Sequence, residues 1–152
     1  MIKKHILMLL IVAFGNCRAA SSDKKLAGLN KDCQALLRDT NRLLQKIASH
    51  QGELGEFQSA LINQGDHAIA NRSAVWVNSV LFDLNKSFNL VSGQYEHCMC
   101  LASEEFNDES GLAALQGLLN QVKQQYAQLG LKQTALIEKA ELLKKQAQLN
   151  LN

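Results

Sequence analysis

An all-α fold, an elongated up-down-up three-helix bundle of antiparallel coiled-coil type behind an N-terminal signal peptide, follows from three observations. The 152 residues contain no proline, nine glycines and 5 % aromatics, with Ala, Leu, Gln and Lys dominant, which is the composition of long helices. Apolar residues alternate three- and four-residue steps along three successive stretches, the heptad spacing of a packed helix. The three seams also register against one another as antiparallel neighbours.

Met1 to Ala20 reads as the signal peptide. Lys3, Lys4 and His5 form a basic start, Ile6 to Phe14 an apolar segment of leader length, and Cys17-Arg18-Ala19 or Ala19-Ala20-Ser21 supply small residues for cleavage. The alternative is a lipoprotein acylated on Cys17, against which Asn16 stands where a small residue is expected. The full chain has 16 basic and 14 acidic residues; without Lys3, Lys4 and Arg18 the balance becomes 13 against 14. The mature chain is therefore near neutral, and its basic residues read as spread among acidic ones instead of clustered, which argues against nucleic acid as the main partner.

Residues 21–25 form a polar lead-in, and the bundle occupies 26–149. The first helix, about 26–63, carries the seam Leu26, Leu29, Cys33, Leu36, Thr40, Leu43, Ile47, His50, Leu54, Phe57 and Leu61. Gly52 and Gly55 weaken its interior by roughly 1 kcal/mol each, yet the seam keeps phase across them. The second helix, about 69–106, carries Ala70, Ala74, Val77, Leu81, Leu84, Phe88, Val91, Tyr95, Cys98 and Ala102. Pairing Leu29 with Ala102, Cys33 with Cys98, Leu43 with Phe88 and Leu61 with Ala70 keeps one register, whose midpoint places the fold-back at Gln64-Gly65-Asp66. Asn107 to Gly111 supplies turn and capping residues before a third helix, about 112–149, with Leu112, Leu115, Leu119, Val122, Tyr126, Leu129, Gln133, Leu136, Ala140, Leu143 and Ala147 on its seam. Each helix is then about 57 Å long at 1.5 Å per residue. Flanking Leu37, Leu44, Val80, Leu118 and Leu142 widen the stripes, as a three-helix core requires.

Few residues carry chemistry. Cys33 and Cys98 fall in one layer beside Leu115, and an exported chain in an oxidising compartment would join them as a disulfide, with Cys33 to Cys100 as the competitor. Three cysteines remain after leader removal, so one intrachain bridge accounts for only two. His97, Cys98, Met99 and Cys100 are all metal-ligand types, suited to copper or zinc, but neighbours two apart on a helix point in nearly opposite directions; no metal or other cofactor is expected. His50 and Gln133 form a polar layer in mid-rod with Leu81, which fixes register or, if His50 titrates, acts as a pH-sensitive joint. Trp76, with Val75 and Val80, is the candidate partner-binding anchor, its plainer role being to cover the core edge. Glu104, Glu105, Asp108 and Glu109 lack the spacing of a calcium loop and read as helix caps. Asn71 and Asn85 begin chance matches to the glycosylation pattern. No catalytic constellation appears, and a thin rod offers little concave volume, so an enzyme is not expected.

In outline, the leader followed by a three-helix rod resembles the minor, pilus-associated subunits of type IV secretion systems. The resemblance spans the mature chain, rests on architecture alone and transfers no site residue. It implies a periplasmic or secreted protein that contacts protein partners in the envelope. Membrane contact is expected only through the leader or a lipid on Cys17, and self-association is left open. The alternative classes are a periplasmic helical chaperone and a metal-handling protein.

Overall fold

The computed structural model describes the backbone of residues 2–104 and 109–151 and the side chains of residues 24–103, 113 and 115–151. Three helices pack together: α1 is Ile2–Asn63, α2 is His67–Glu104 and α3 is Glu109–Leu149. Each helix contacts both others. Polar and covalent links between α1 and α2 run in opposite sequence directions: Cys33 meets Cys98, Asp39 meets Gln94, Lys46 meets Asp83 and Glu53 meets Trp76. Ser92 with Tyr126 and Asn78 with Lys144 show the same opposition between α2 and α3. The chain therefore goes up, down and up.

α1 is continuous through Gly52 and Gly55, and through residues 21–25 as well. The polar lead-in is thus not a separate element, because nothing in Ser21-Ser22-Asp23-Lys24-Lys25 interrupts helical hydrogen bonding. The leader side chains, Cys17 included, and the residues between α2 and α3 lie outside the described residues. Among the described residues no helix is long and apolar enough to cross a membrane.

The α1–α2 turn has a local cause. Gly65 adopts φ +50°, the left-handed conformation that ends helices and that glycine reaches at least cost. A Cβ there would sit 3.3 Å from the Leu61 carbonyl oxygen. Asp66 then caps α2, its Oδ1 accepting from the Ile69 amide at 2.7 Å.

The core follows the seams. Leu29, Leu36, Leu43, Ile47, Leu54 and Leu61 of α1 are buried against Val77, Leu84 and Val91 of α2 and Leu119, Val122, Leu129, Leu136 and Leu143 of α3. Burial of each large side chain contributes about 1.5–3 kcal/mol before chain entropy is set against it. The start of α2 departs from the expected seam by one position. Ser73 and Val80 are buried, whereas Ala74 and Leu81 are only half-buried. A helix that must face two neighbours buries both flanks of its stripe, so the deepest position shifts between them. Ser73 tolerates this because its hydroxyl donates back to the Ile69 carbonyl at 2.8 Å.

Candidate functional site

The covalent link lies toward the α2–α3 end of the rod. Cys33 and Cys98 form a disulfide with their Cα atoms 6.4 Å apart, within the span such a bond requires. Both are buried, which follows from their places on facing seams. A disulfide points to an oxidising compartment. Cys100 is exposed and outside this bond. Cys98 has its sulfur committed to Cys33, while His97 and Cys100 face solvent and Met99 is half-buried, so the run His97 to Cys100 does not converge. Among the described residues no group of three or more His, Cys, Asp or Glu is placed to hold a metal ion. The acidic residues Glu104, Glu105, Asp108 and Glu109 have side chains outside the described set.

Trp76 organises the other half of the α1–α2 interface. Its indole packs on Phe57 with centroids 5.2 Å apart and edge-on to His50 at 6.1 Å, and Nε1–H donates to Glu53 Oε2 at 2.7 Å. The same carboxylate oxygen lies 3.2 Å from His50 Nδ1. An ionised carboxylate only accepts, so the pair assigns the proton to Nδ1. These contacts lower the Glu53 pKa, the Trp76 hydrogen bond first and the His50 hydrogen bond next. Trp76 is therefore half-buried and tied to α1, which suits the edge of a core better than an anchor offered to a partner.

The polar layer exists in burial but not as a bonded pair. Gln133 is 6 % exposed, and its Oε1 is buried without a hydrogen-bond partner, as is His50 Nε2. His50 bonds along its own helix to Glu53 rather than to Gln133. A different polar bridge joins α2 to α3: Tyr126 stacks on Tyr95 at 4.0 Å and on Phe88 at 5.9 Å, and its hydroxyl donates to Ser92 at 2.9 Å. Tyr126 thereby spans two layers that simple registration keeps apart. Side chains lean toward the N-terminus of their own helix, so in antiparallel neighbours Tyr95 and Tyr126 tilt toward each other.

Of the candidate anchor, Val75 is the exposed member and Trp76 the half-buried one. Val80 is 4 % exposed and belongs to the core, because its position on the flank of the stripe faces inward. Val75, at 61 % exposure, stands instead with two residues that lie on no seam, Phe82 at 71 % and Leu90 at 66 %. At 100° per residue these three fall within roughly 80° of arc on the side of α2 opposite its core, over about 22 Å. Exposed aliphatic residues are ordinary one by one, but a line of them containing an aromatic is the kind of surface that partners cover. Near the α1–α2 turn, Glu56, Phe57, Ala60, Gln64, Ile69 and Arg72 line an open groove of about 300 Å³. It is a shallow surface feature between two helices, not an enclosed chamber.

No family model, curated protein or solved structure matches this chain.

Proposed function

We propose that this chain is an exported, non-enzymatic helical-bundle protein of the bacterial envelope that acts by contacting other proteins, as a secretion- or pilus-associated component of the type IV kind. The observation that carries the reading is the outward line Val75, Phe82 and Leu90 on a helix whose other face is already filled. A rod that satisfies its core internally and still displays such a line gains by burying it against a partner. The leader in the sequence supplies the route out of the cytoplasm, and the Cys33–Cys98 bond suits the destination.

The test is a photo-reactive phenylalanine analogue at position 82, irradiated in cells that make the protein. One discrete adduct is expected, lost when Val75 and Leu90 are both changed to Glu and not formed from the same analogue at Ser49, an exposed position on α1. Silence at position 82 would sink the reading. The chaperone alternative draws on the same side chains but predicts a heterogeneous ladder that an unfolded client protein competes away.

A further inference from the structure

The outer face of α1 differs from that of α2 in kind. Lys24, Lys31, Arg38 and Arg42 are all exposed, and at 3.6 residues per turn they fall within roughly 40° of arc, opposite the buried Leu29, Cys33, Leu36, Thr40 and Leu43, over about 27 Å. Among the described residues Lys24, Lys31 and Arg38 form no ion pair, and Arg42 leans on Asp39 at 3.4 Å. Asp32 and Asp39 project to the flank, where Asp39 accepts from Gln94 of α2. Between Lys24 and Lys46 there are six basic residues against two acidic, whereas Ile47 to Asn152 carries seven against eleven. A nearly neutral chain thus concentrates cations on one face of one half of its first helix. The intervening acidic residues hide this in the linear sequence.

We propose that this face of α1 docks on the anionic headgroups of a phospholipid bilayer. The row carries no large apolar or aromatic side chain at its centre; among the described residues of α1 the exposed large apolar one is Ile62, far from the row. Protein interfaces concentrate aromatic and apolar groups at their centres, so a bare cationic row is poorly suited to a shaped protein partner. A bilayer asks for less: its headgroups form a plane of mobile negative charge, and long Lys and Arg side chains in a straight row meet that plane without shape complementarity. Leu90 lines one groove with Arg42 at the end of the row, whereas Phe82 and Val75 lie farther along α2, beside the Lys46 to Glu53 part of α1 and beyond, so a membrane on the row would leave those two open. This surface adds to membrane contact through the leader or Cys17 and is independent of whether a protein binds α2.

The experiment is co-sedimentation of the full chain with vesicles of phosphatidylcholine alone and of phosphatidylcholine mixed with phosphatidylglycerol. Binding to the neutral vesicles reads the apolar leader; the excess on the anionic vesicles reads the row. The excess should fall about tenfold or more in the triple variant K24E/K31E/R38E, and should vanish near 1 M salt, where the screening length is about 3 Å. It should survive in K132E/K139E/K145E, which makes the same change in net charge on exposed α3 positions. Circular dichroism checks that both variants stay helical. Equal loss in the two variants would reduce the effect to net charge and overturn the proposal, as would the absence of any anionic excess. Row-dependent binding to polyglutamate without binding to anionic vesicles would assign the face to an acidic protein instead.

Discussion

The indole N–H of Trp76 on α2 donates to Glu53 Oε2 on α1 at 2.7 Å, and that oxygen also faces His50 Nδ1 at 3.2 Å. One carboxylate therefore holds the aromatic edge of α2 against α1 in the half of the rod farther from the disulfide. The two clamps divide the work: a covalent bond at Cys33 and Cys98, and a hydrogen-bonded aromatic cluster toward the turn at Gly65. Between and beyond them, apolar seams keep the register.

Glu53 makes stability depend on pH. Its pKa is lowered from an ordinary value near 4.5 by Trp76 first and His50 second. A carboxyl depressed in the folded state stabilises the protein above its unfolded pKa, and that contribution is lost as pH falls through the folded pKa. Urea midpoints of the native protein and of E53Q should differ near neutral pH and converge below about pH 4.5. A gap that stays constant down to acid would show that the carboxylate charge is not involved. Trp76→Phe, which keeps the packing on Phe57 and removes the donor, should cost about 1 kcal/mol.

Reduction should weaken the fold without erasing it. The disulfide closes a loop of 65 residues, worth about 4 kcal/mol on the chain-entropy model. A Cys33→Ala/Cys98→Ala variant should remain helical by circular dichroism but unfold at a distinctly lower temperature, and reductant should have no further effect on it. Non-reducing peptide mass spectrometry of the native protein should return a Cys33–Cys98 linked pair; a Cys33–Cys100 pair would contradict the geometry.

The central polar layer is a place where stability can be gained. Gln133 is nearly fully buried with an unpartnered Oε1, and such a group costs about 1–3 kcal/mol. Gln133→Leu should raise stability by about 1–2 kcal/mol in urea unfolding. A loss on that substitution would mean that the amide is satisfied and sets the register of α3.

Much of this architecture was legible in the sequence because heptad spacing and antiparallel register are one-dimensional signals. Cys33 and Cys98 could be paired on paper since each lies on a seam and the seams share a midpoint. Where α2 runs through the triplets Val75-Trp76-Val77 and Val80-Leu81-Phe82, periodicity lost its power. Every member is apolar, so the pattern cannot say which turns inward: Val80 fits both a widened core flank and a surface anchor, and Phe82 lies on no seam. The Trp76–Glu53 bond was hidden for another reason: it depends on where the tips of two side chains, 23 residues apart in sequence, meet across the α1–α2 interface, which no seam encodes. The row on α1 was readable at its Lys24, Lys31 and Arg38 spacing, but only once interleaved acids were assigned to a different side of the helix.

Val80 and Phe82, two residues apart on α2, should separate stability from recognition. Adjacent-but-one positions on a helix face nearly opposite directions, and here one is 4 % and the other 71 % exposed. Val80→Glu places an unpaired charge in the core and should cost about 3 kcal/mol or more, visible as a large fall in the urea midpoint. Phe82→Glu should change that midpoint by no more than about 0.5 kcal/mol, because the ring contributes little to the core. If the outward face of α2 binds a partner, Phe82→Glu should nonetheless abolish an adduct formed by a photo-reactive residue placed at Val75. Partner capture by Phe82→Glu at the native level, with folding intact, would leave the line Val75, Phe82 and Leu90 as mere surface and remove the main support for a role in protein contact.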